Sequence, residues 1–511
     1  MTIPESPRGI DRRHLLTGLG ALGAAAMVGV GTGTAAAAEA TPAETALAEA
    51  AGITPMDLRF RIAEQFRPFA LLAPGFEQYD TAAPPLPRTS GDFLVRTGIS
   101  PRAPFASVLV EVNELAPGAS VVAGLAANSA NRVLARYDAA AGTASIEVTV
   151  NGTTTVVKSV AARLRAPFRF AFVVNENAVT ALHDSTGTGT GWAPLVSERD
   201  GVSAKLDLRR PATLGTYAYA YGAGGDGSVV LGRVQAGYFG QAGLRDLHAV
   251  QTPDGKPLVR NGKLYLTATC AGLGFFQQAH WGVWTLDLKD PSRITQVAQL
   301  YFSREDGVIV GDHAGQIVLD GDEFIVAMSS WGDFAFRGVH IRHLRTRANV
   351  LAGVHVLPTQ RLTVPTNVSS WDPSITKIDG RWHVGFVESP SQTPFNFHPA
   401  LAVAPRGADY HERLTLRGRD ATVRECEGTI LQRVGGQWYL LASDGIGRQY
   451  RVYDLDVKFL GTLDAPYKTN IPHPQIVPVG KNWLLITFDG TQYADPVLGY
   501  GGHGDVIIMR A

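Results

Sequence analysis

The feature that most constrains this chain is a hairpin unit that recurs through its second half. In the stretch from Arg424 to Leu441, RECEGTILQRVGGQWYLL, the carboxylate Glu427 opens an alternating apolar run. Gly435-Gly436 reverses the chain, and Trp438-Tyr439-Leu440-Leu441 returns. Alternation on both sides of a glycine pair reads as a β-hairpin with an acid at its mouth. Counting back eight residues from the reversing glycine gives Asp254 from Gly262, His313 from Gly321, Asp372 from Gly380 and Glu427 from Gly435; His473 stands seven before Gly480. These starts lie 46 to 59 residues apart, a blade-sized period. Five such units closing on themselves predict a five-bladed β-propeller over residues 241–511, an arrangement without long exposed sheet edges.

A different texture precedes the repeats. Ser107 to Val112, Ala144 to Val150 and Phe168 to Val174 alternate with period two, and turn signals such as Ala141-Gly142 and Asn151-Gly152 separate them. Strands at this spacing predict an antiparallel β-sandwich over residues 91–240, similar in texture to the concanavalin-like modules of carbohydrate-active enzymes. The glycines from Gly222 to Gly227 do not lie between a strand and a helix, which argues against a nucleotide loop. Upstream, TPAETALAEA and MDLRFRIAEQF predict one or two helices within residues 41–75, and the prolines between Asp80 and Pro87 predict a linker completing a 41–90 segment. The fold class expected is therefore all-β, a sandwich followed by a propeller.

Residues 1–40 read as an address. Asp11-Arg12-Arg13-His14-Leu15-Leu16, a Gly/Ala-rich run and the small residues of Thr34 to Ala40 resemble a twin-arginine signal with its cleavage context, so a secreted or periplasmic protein is expected. No other stretch is long and apolar enough to span a bilayer. Lysine plus arginine and aspartate plus glutamate each number 46, which removes any electrostatic case for nucleic acid or an anionic membrane as partner. Only Cys270 and Cys426 are present, too few for a disulfide scaffold, and buried thiols are expected.

In a propeller the loops after the second strand of each unit share a face with the starts of the first strands, which gathers Asp254, His313, Asp372, Glu427 and His473 around one axis. Three carboxylates in one funnel suit glycosidic cleavage: one acid protonates the leaving oxygen, one base or nucleophile works on the far side, and a third carboxylate raises the acid's pKa. Trp371-Asp372-Pro373-Ser374-Ile375 and Glu427-Gly428-Thr429-Ile430 resemble motifs of the five-bladed propeller glycoside hydrolases of families 43, 32, 62 and 117. That resemblance implies Asp254 as base or nucleophile, Asp372 as the tuning residue and Glu427 as general acid. Asp254-Gly255-Lys256-Pro257 departs from the family pattern, in which proline directly follows the acid, and is equally an ordinary turn dipeptide. Asp246 and Asp312 stand as substitutes for the base.

His313, His473, His280, Trp331, Trp371 and Arg448 lie at the mouths or in the long loops and are the candidate sugar contacts; Phe395, His398 and His503 accompany them. The acid/base chemistry requires no cofactor, while the two mouth histidines leave room for a central Ca2+ or other cation. The expectation is a monomeric, exported glycosidase acting on a cell-wall polysaccharide or oligosaccharide, with arabino- or galactofuranosides suggested by the resemblance. Its rivals are a polysaccharide lyase with histidine as base and a non-catalytic carbohydrate-binding protein.

Overall fold

The structure, a computed structural model, describes residues 52–81, 88–334, 338–491 and 504–511. The expected leader, the first part of the expected helical segment, most of the proline linker and His503 lie outside the described residues. The described residues are almost entirely β, built from several antiparallel sheets. Among the described residues no helix is long and apolar enough to cross a membrane.

Two sheets form the N-terminal half. One runs in the order Trp192–Glu198, Ala178–Asp184, Phe168–Asn175, Phe105–Leu115, Ser228–Gln241, Ala70–Asp80. The other runs Phe93–Arg96, Ala218–Gly225, Ala119–Asn128, Asn131–Asp138, Thr143–Val150, Thr153–Ala161. Period two decides which side chains meet: Val108, Val110 and Val112 of one sheet share a buried core with Val121, Ala123 and Leu125 of the other. The Asn151-Gly152 signal is a two-residue hairpin turn between Val150 and Thr153, with φ of 51° and 82°. Positive φ at both positions is what Asn-Gly tolerates and most pairs do not.

The helical expectation for residues 41–75 is corrected within the described residues. A single 3-10 turn, Pro55–Asp57, is followed by strands Arg61–Phe66 and Ala70–Asp80. Pairing with remote strands overrides local propensity: Arg61–Phe66 lies antiparallel to Asp505–Arg510, and Phe60 is fully buried in a core with Leu485, Ile507 and Met509.

Five further sheets follow, each running outward from its first strand, and the first of them also takes Gly353–Pro358, which pairs parallel to Ile294–Ser303. Those first strands are Leu244–Ala249, His313–Asp320, Ser369–Ile378, Cys426–Val434 and Gln475–Val479. The fifth sheet takes Arg61–Phe66 as its outer strand, so the two ends of the chain meet in one sheet. Apolar cores fill the spaces between first and second, second and third, third and fourth, fourth and fifth, and again fifth and first sheets. That succession returns to its starting point. First strands touch their neighbours, and polar side chains link them: Gln251 donates to the Ile375 carbonyl, the Ile375 N–H donates to Gln316, and the Ala249 N–H donates to Gln475. Cys270 and Cys426 are buried free thiols in the first and fourth sheets.

Candidate active site

A bulge recurs near the start of four first strands, and it places the chemistry. Pairing shifts by one residue between Arg245 and His248, His313 and Gly315, Trp371 and Ser374, and Glu427 and Ile430. The extra residue begins in the left-handed region each time: Asp246 at φ 52°, Ala314 at 54°, Asp372 at 49° and Gly428 at 71°. A bulge bends the strand and re-aims the side chains at it. Asp246 and Asp372 therefore leave the alternating pattern and turn in among the first strands.

Hydroxyls tie the bulges together. Thr269 Oγ1 donates to Asp246 Oδ2 at 2.7 Å and accepts the Ala314 N–H at 3.2 Å. Ser329 Oγ donates to the Ala314 carbonyl at 2.7 Å and accepts the Asp372 N–H at 2.9 Å. Thr429 donates to the Asp372 carbonyl at 2.5 Å, and the Gly428 N–H donates to Asp372 Oδ2 at 3.0 Å. His473 Nε2 lies 3.6 Å from Asp246 Oδ1 and 3.4 Å from Asp372 Oδ2. A side chain at Gly428 would strike that imidazole, since its Cβ would fall 2.4 Å from His473 Cδ2. Glu427 keeps a partly exposed edge, and its Oε2 accepts the Trp371 indole N–H at 3.0 Å. Asp246 and Asp372 are buried.

The three carboxyls are held in different states. Burial pushes Asp246 up, but His473, Arg245, His313 and the Thr269 hydroxyl outweigh it and hold the group below its ordinary 3.8, hence ionised. Burial pushes Asp372 well above the same value, with Glu427 and Asp246 adding like-charge repulsion. Burial and Asp246 raise Glu427 to about 7, against the pull of the Trp371 N–H and Arg245. Burial lowers His473 and His313 to about 4, against the pull of the Asp246 charge. Buried Arg245, which no motif flagged, acts on every member of this group.

The structure brings Asp372, Glu427, His313, His473, Trp331 and Trp371 together. His313 Nε2 sits 3.1 Å from the Phe276 carbonyl, and its ring lies along Trp331, centroids 6.3 Å apart. Trp331 in turn meets Trp371 at 5.8 Å. Arg448 stands exposed at the rim, over the ring of Tyr467, whose hydroxyl bonds Ser443.

Two assignments are corrected. Asp254 is more than half exposed, bonded to Thr252 and 3.0 Å from Lys256. It lines a depression of about 630 Å³ with Arg417, Arg433 and Trp438, beside the hairpin turns at the far ends of the strands that carry Asp372 and Glu427. Its place at the mouth belongs to Asp246, because Val259–Arg260 and the turn before it lengthen the first hairpin and defeat the eight-residue count. His280 is fully buried with its ring 5.3 Å from Phe105 and 5.4 Å from Tyr301, so it packs between sheets, apart from this group. Asp312, the other substitute, is buried in a two-pronged ion pair with Arg304 at 2.6 and 2.8 Å. Among the described residues no three His, Cys, Asp or Glu side chains form a group that could hold a metal ion.

No family model matches the chain, and no curated protein matches it. Solved structures do. A GH43_1 enzyme from Xanthomonas citri aligns with TM-score 0.36 and 18% identity over 52% of this chain and 87% of that one. An α-L-arabinanase of Penicillium chrysogenum complexed with arabinobiose aligns with TM-score 0.34 and 11% identity, over 68% and 90%. The carbohydrate-binding module CBM66 from Bacillus subtilis aligns with TM-score 0.23 and 11% identity, over 29% and 83%.

Proposed function

We propose that this protein is an exported glycoside hydrolase in which the two N-terminal sheets form a β-sandwich and the five C-terminal sheets are the blades of a propeller. Residues 1–40 would be its export leader. The observation that carries this reading is the meeting of Asp246, Asp372 and Glu427, from three different first strands, at one group of bulges. Cleaving a glycosidic bond takes one carboxyl that still holds its proton and one that has lost it. Glu427, raised to about 7 and accessible at one edge, supplies the first; ionised Asp246 supplies the second.

Glu427 donates its proton to the glycosidic oxygen as the bond to the anomeric carbon breaks. Asp246 either takes a proton from the water that attacks that carbon or attacks it directly. Asp372 adds no proton to the reaction. Held by the Gly428 N–H and beside His473, it fixes the bulge that carries Glu427. A neutral polysaccharide or oligosaccharide suits the balanced charge, and no metal step is needed.

Wild type, Glu427→Gln and Asp246→Asn incubated with arabinan, xylan, galactan and aryl furanosides test the reading. Sugar release by wild type alone is expected, and the anomer formed first, read by NMR, distinguishes base from nucleophile. Full activity in either variant would overturn it.

A further inference from the structure

We propose that the depression beside Trp438 is a second glycan-binding site, which holds a neutral polysaccharide at the end of the strands opposite Glu427. The proposal rests on the carbohydrate substrate argued above and not on which residue moves the proton. One hairpin, Cys426–Val434 with Gln437–Asp444, carries both places: Glu427 pairs with Ser443 at one end, and Arg433 pairs with Trp438 at the other. Ser443 and Trp438 are five residues apart on one strand, which at the rise of a β-strand is about 17 Å. Only a long chain reaches both ends together.

The first hairpin supplies one wall of this depression. Its lengthened part leaves the first sheet, pairs Gln251 with Val318 of the second and gives the Pro253 carbonyl to the Lys377 N–H of the third at 2.7 Å. It ends against the fourth. There Gly255, at φ 79°, leaves no room for a side chain, because a Cβ would fall 2.3 Å from Cη2 of Trp438. Asp254 is spent within the turn, on Thr252 and on Lys256 at 3.0 Å, and the Gly255 N–H donates to the Thr252 carbonyl at 2.9 Å. Arg417, also in the lining, is fixed by Asp456 at 3.0 Å and His383 at 3.1 Å. The walls are thus held in place around a volume of about 630 Å³, which lies within the range of small-ligand sites.

The lining chooses the occupant. One lysine, two arginines and four aspartates surround the depression, so neither an anion nor a cation meets a field of one sign. Four polar groups there are unspent. The Trp438 indole N–H, the Lys377 ammonium, the Asp379 carboxylate and the Gln437 amide make no side-chain hydrogen bond among the described residues. Two of these only donate, one only accepts and one does both. A hydroxyl also donates and accepts, so an uncharged ligand rich in hydroxyls satisfies the whole set, where a phosphate or an ammonium satisfies part of it. The indole adds the apolar surface on which the C–H face of a sugar ring packs.

The probes are arabinan, xylan and galactan cast in native gels, with polygalacturonate as the anionic comparison, and the protein is Glu427→Gln so that nothing is cut. Retardation by at least one neutral polymer is expected. Trp438→Ala in the same background should weaken it about tenfold, with Trp438→Phe in between. Because Trp438 packs on Gly255, a second measurement keeps the native ring. The indole N–H signal of Trp438 in isotope-labelled protein, assigned from Trp438→Phe, should shift saturably with oligosaccharides of the retarding polymer. The proposal falls if no neutral polymer retards the protein, if polygalacturonate alone does, if Trp438→Ala is retarded as before, or if the indole signal stays still. Hydrolysis that survives in Glu427→Gln would instead overturn the enzymatic reading and leave the Trp438 signal as expected, so the two failures are told apart.

Discussion

Trp371 gives its indole N–H to Oε2 of Glu427 at 3.0 Å, across two neighbouring first strands. The bond favours the ionised carboxylate and so opposes the burial and the Asp246 charge that raise this group to about 7. Two pressures of opposite sign leave the acid poised near neutrality.

Trp371→Phe removes the donor and keeps most of the ring. A hydrogen bond to a charge is worth about 1.5 kcal/mol or more, which is about one pH unit. The alkaline limb of kcat/KM, set by loss of the Glu427 proton, should therefore move upward by about that amount. Limbs that coincide with wild type would show that the indole does not tune the acid.

The same raised pKa makes stability depend on pH. Glu427 titrates near 4.5 when unfolded and near 7 when folded, so the folded state holds the proton more tightly. This contribution is complete below pH 4.5 and is lost as pH rises through 7. Glu427→Gln, neutral at every pH, escapes the loss. Urea titrations should show the variant gaining on wild type between pH 5 and pH 8, while Asp246, depressed in both, cancels. A difference that stays constant across that range would contradict the raised value.

Asp246 and Asp254 are eight residues apart and make opposite predictions. Asp246→Asn should lower turnover by about 10² to 10⁴, the range general acid–base groups command. Asp254→Asn, losing only exposed contacts to Lys256 and Thr252, should stay within about twofold on activity and about 0.5 kcal/mol on stability. Initial rates and melts on the two purified variants decide between the residues.

That pair also shows where reading the chain stops. Alternation and the glycine turns are local, and they yield the hairpins and two of the three carboxylates. Registers across strands are not local. The structure puts Glu427 eight residues before the first turn residue, Gly435, in line with Trp371 and His313; Asp372 is seven before Asp379, in line with Gly428 and Ala314. Counting from Gly380, the second turn residue, had set Asp372 and Glu427 in one register. The bulge is what brings both to one place, and its left-handed residue has no fixed identity: Asp, Ala, Asp and Gly occupy it. Arg61–Phe66 escaped for a related reason, since nothing within it announces a partner more than four hundred residues away.

The last prediction concerns the N-terminal sheets. The hairpin tip after Phe168–Asn175 reaches the loops of the first and second C-terminal sheets. Asn175 Oδ1 accepts the Leu273 N–H at 3.1 Å, and Glu176, at φ 59°, accepts the Gly311 N–H at 3.4 Å. Asn177 completes the tip by accepting the Leu208 N–H at 2.8 Å and donating to Asp207. Leu273 lies three residues before Phe276, whose carbonyl meets His313. The tip therefore braces the loop that forms one side of the site. Asn175→Ala leaves a buried N–H unpaired, a cost of about 1 to 3 kcal/mol. Opening that loop should then require less than unfolding the whole chain, so hydrogen exchange at residues 272–278 should speed up by tenfold or more while the other first strands exchange as before. Unchanged exchange at Leu273 and its neighbours would mean that the two halves of the molecule hold the site independently.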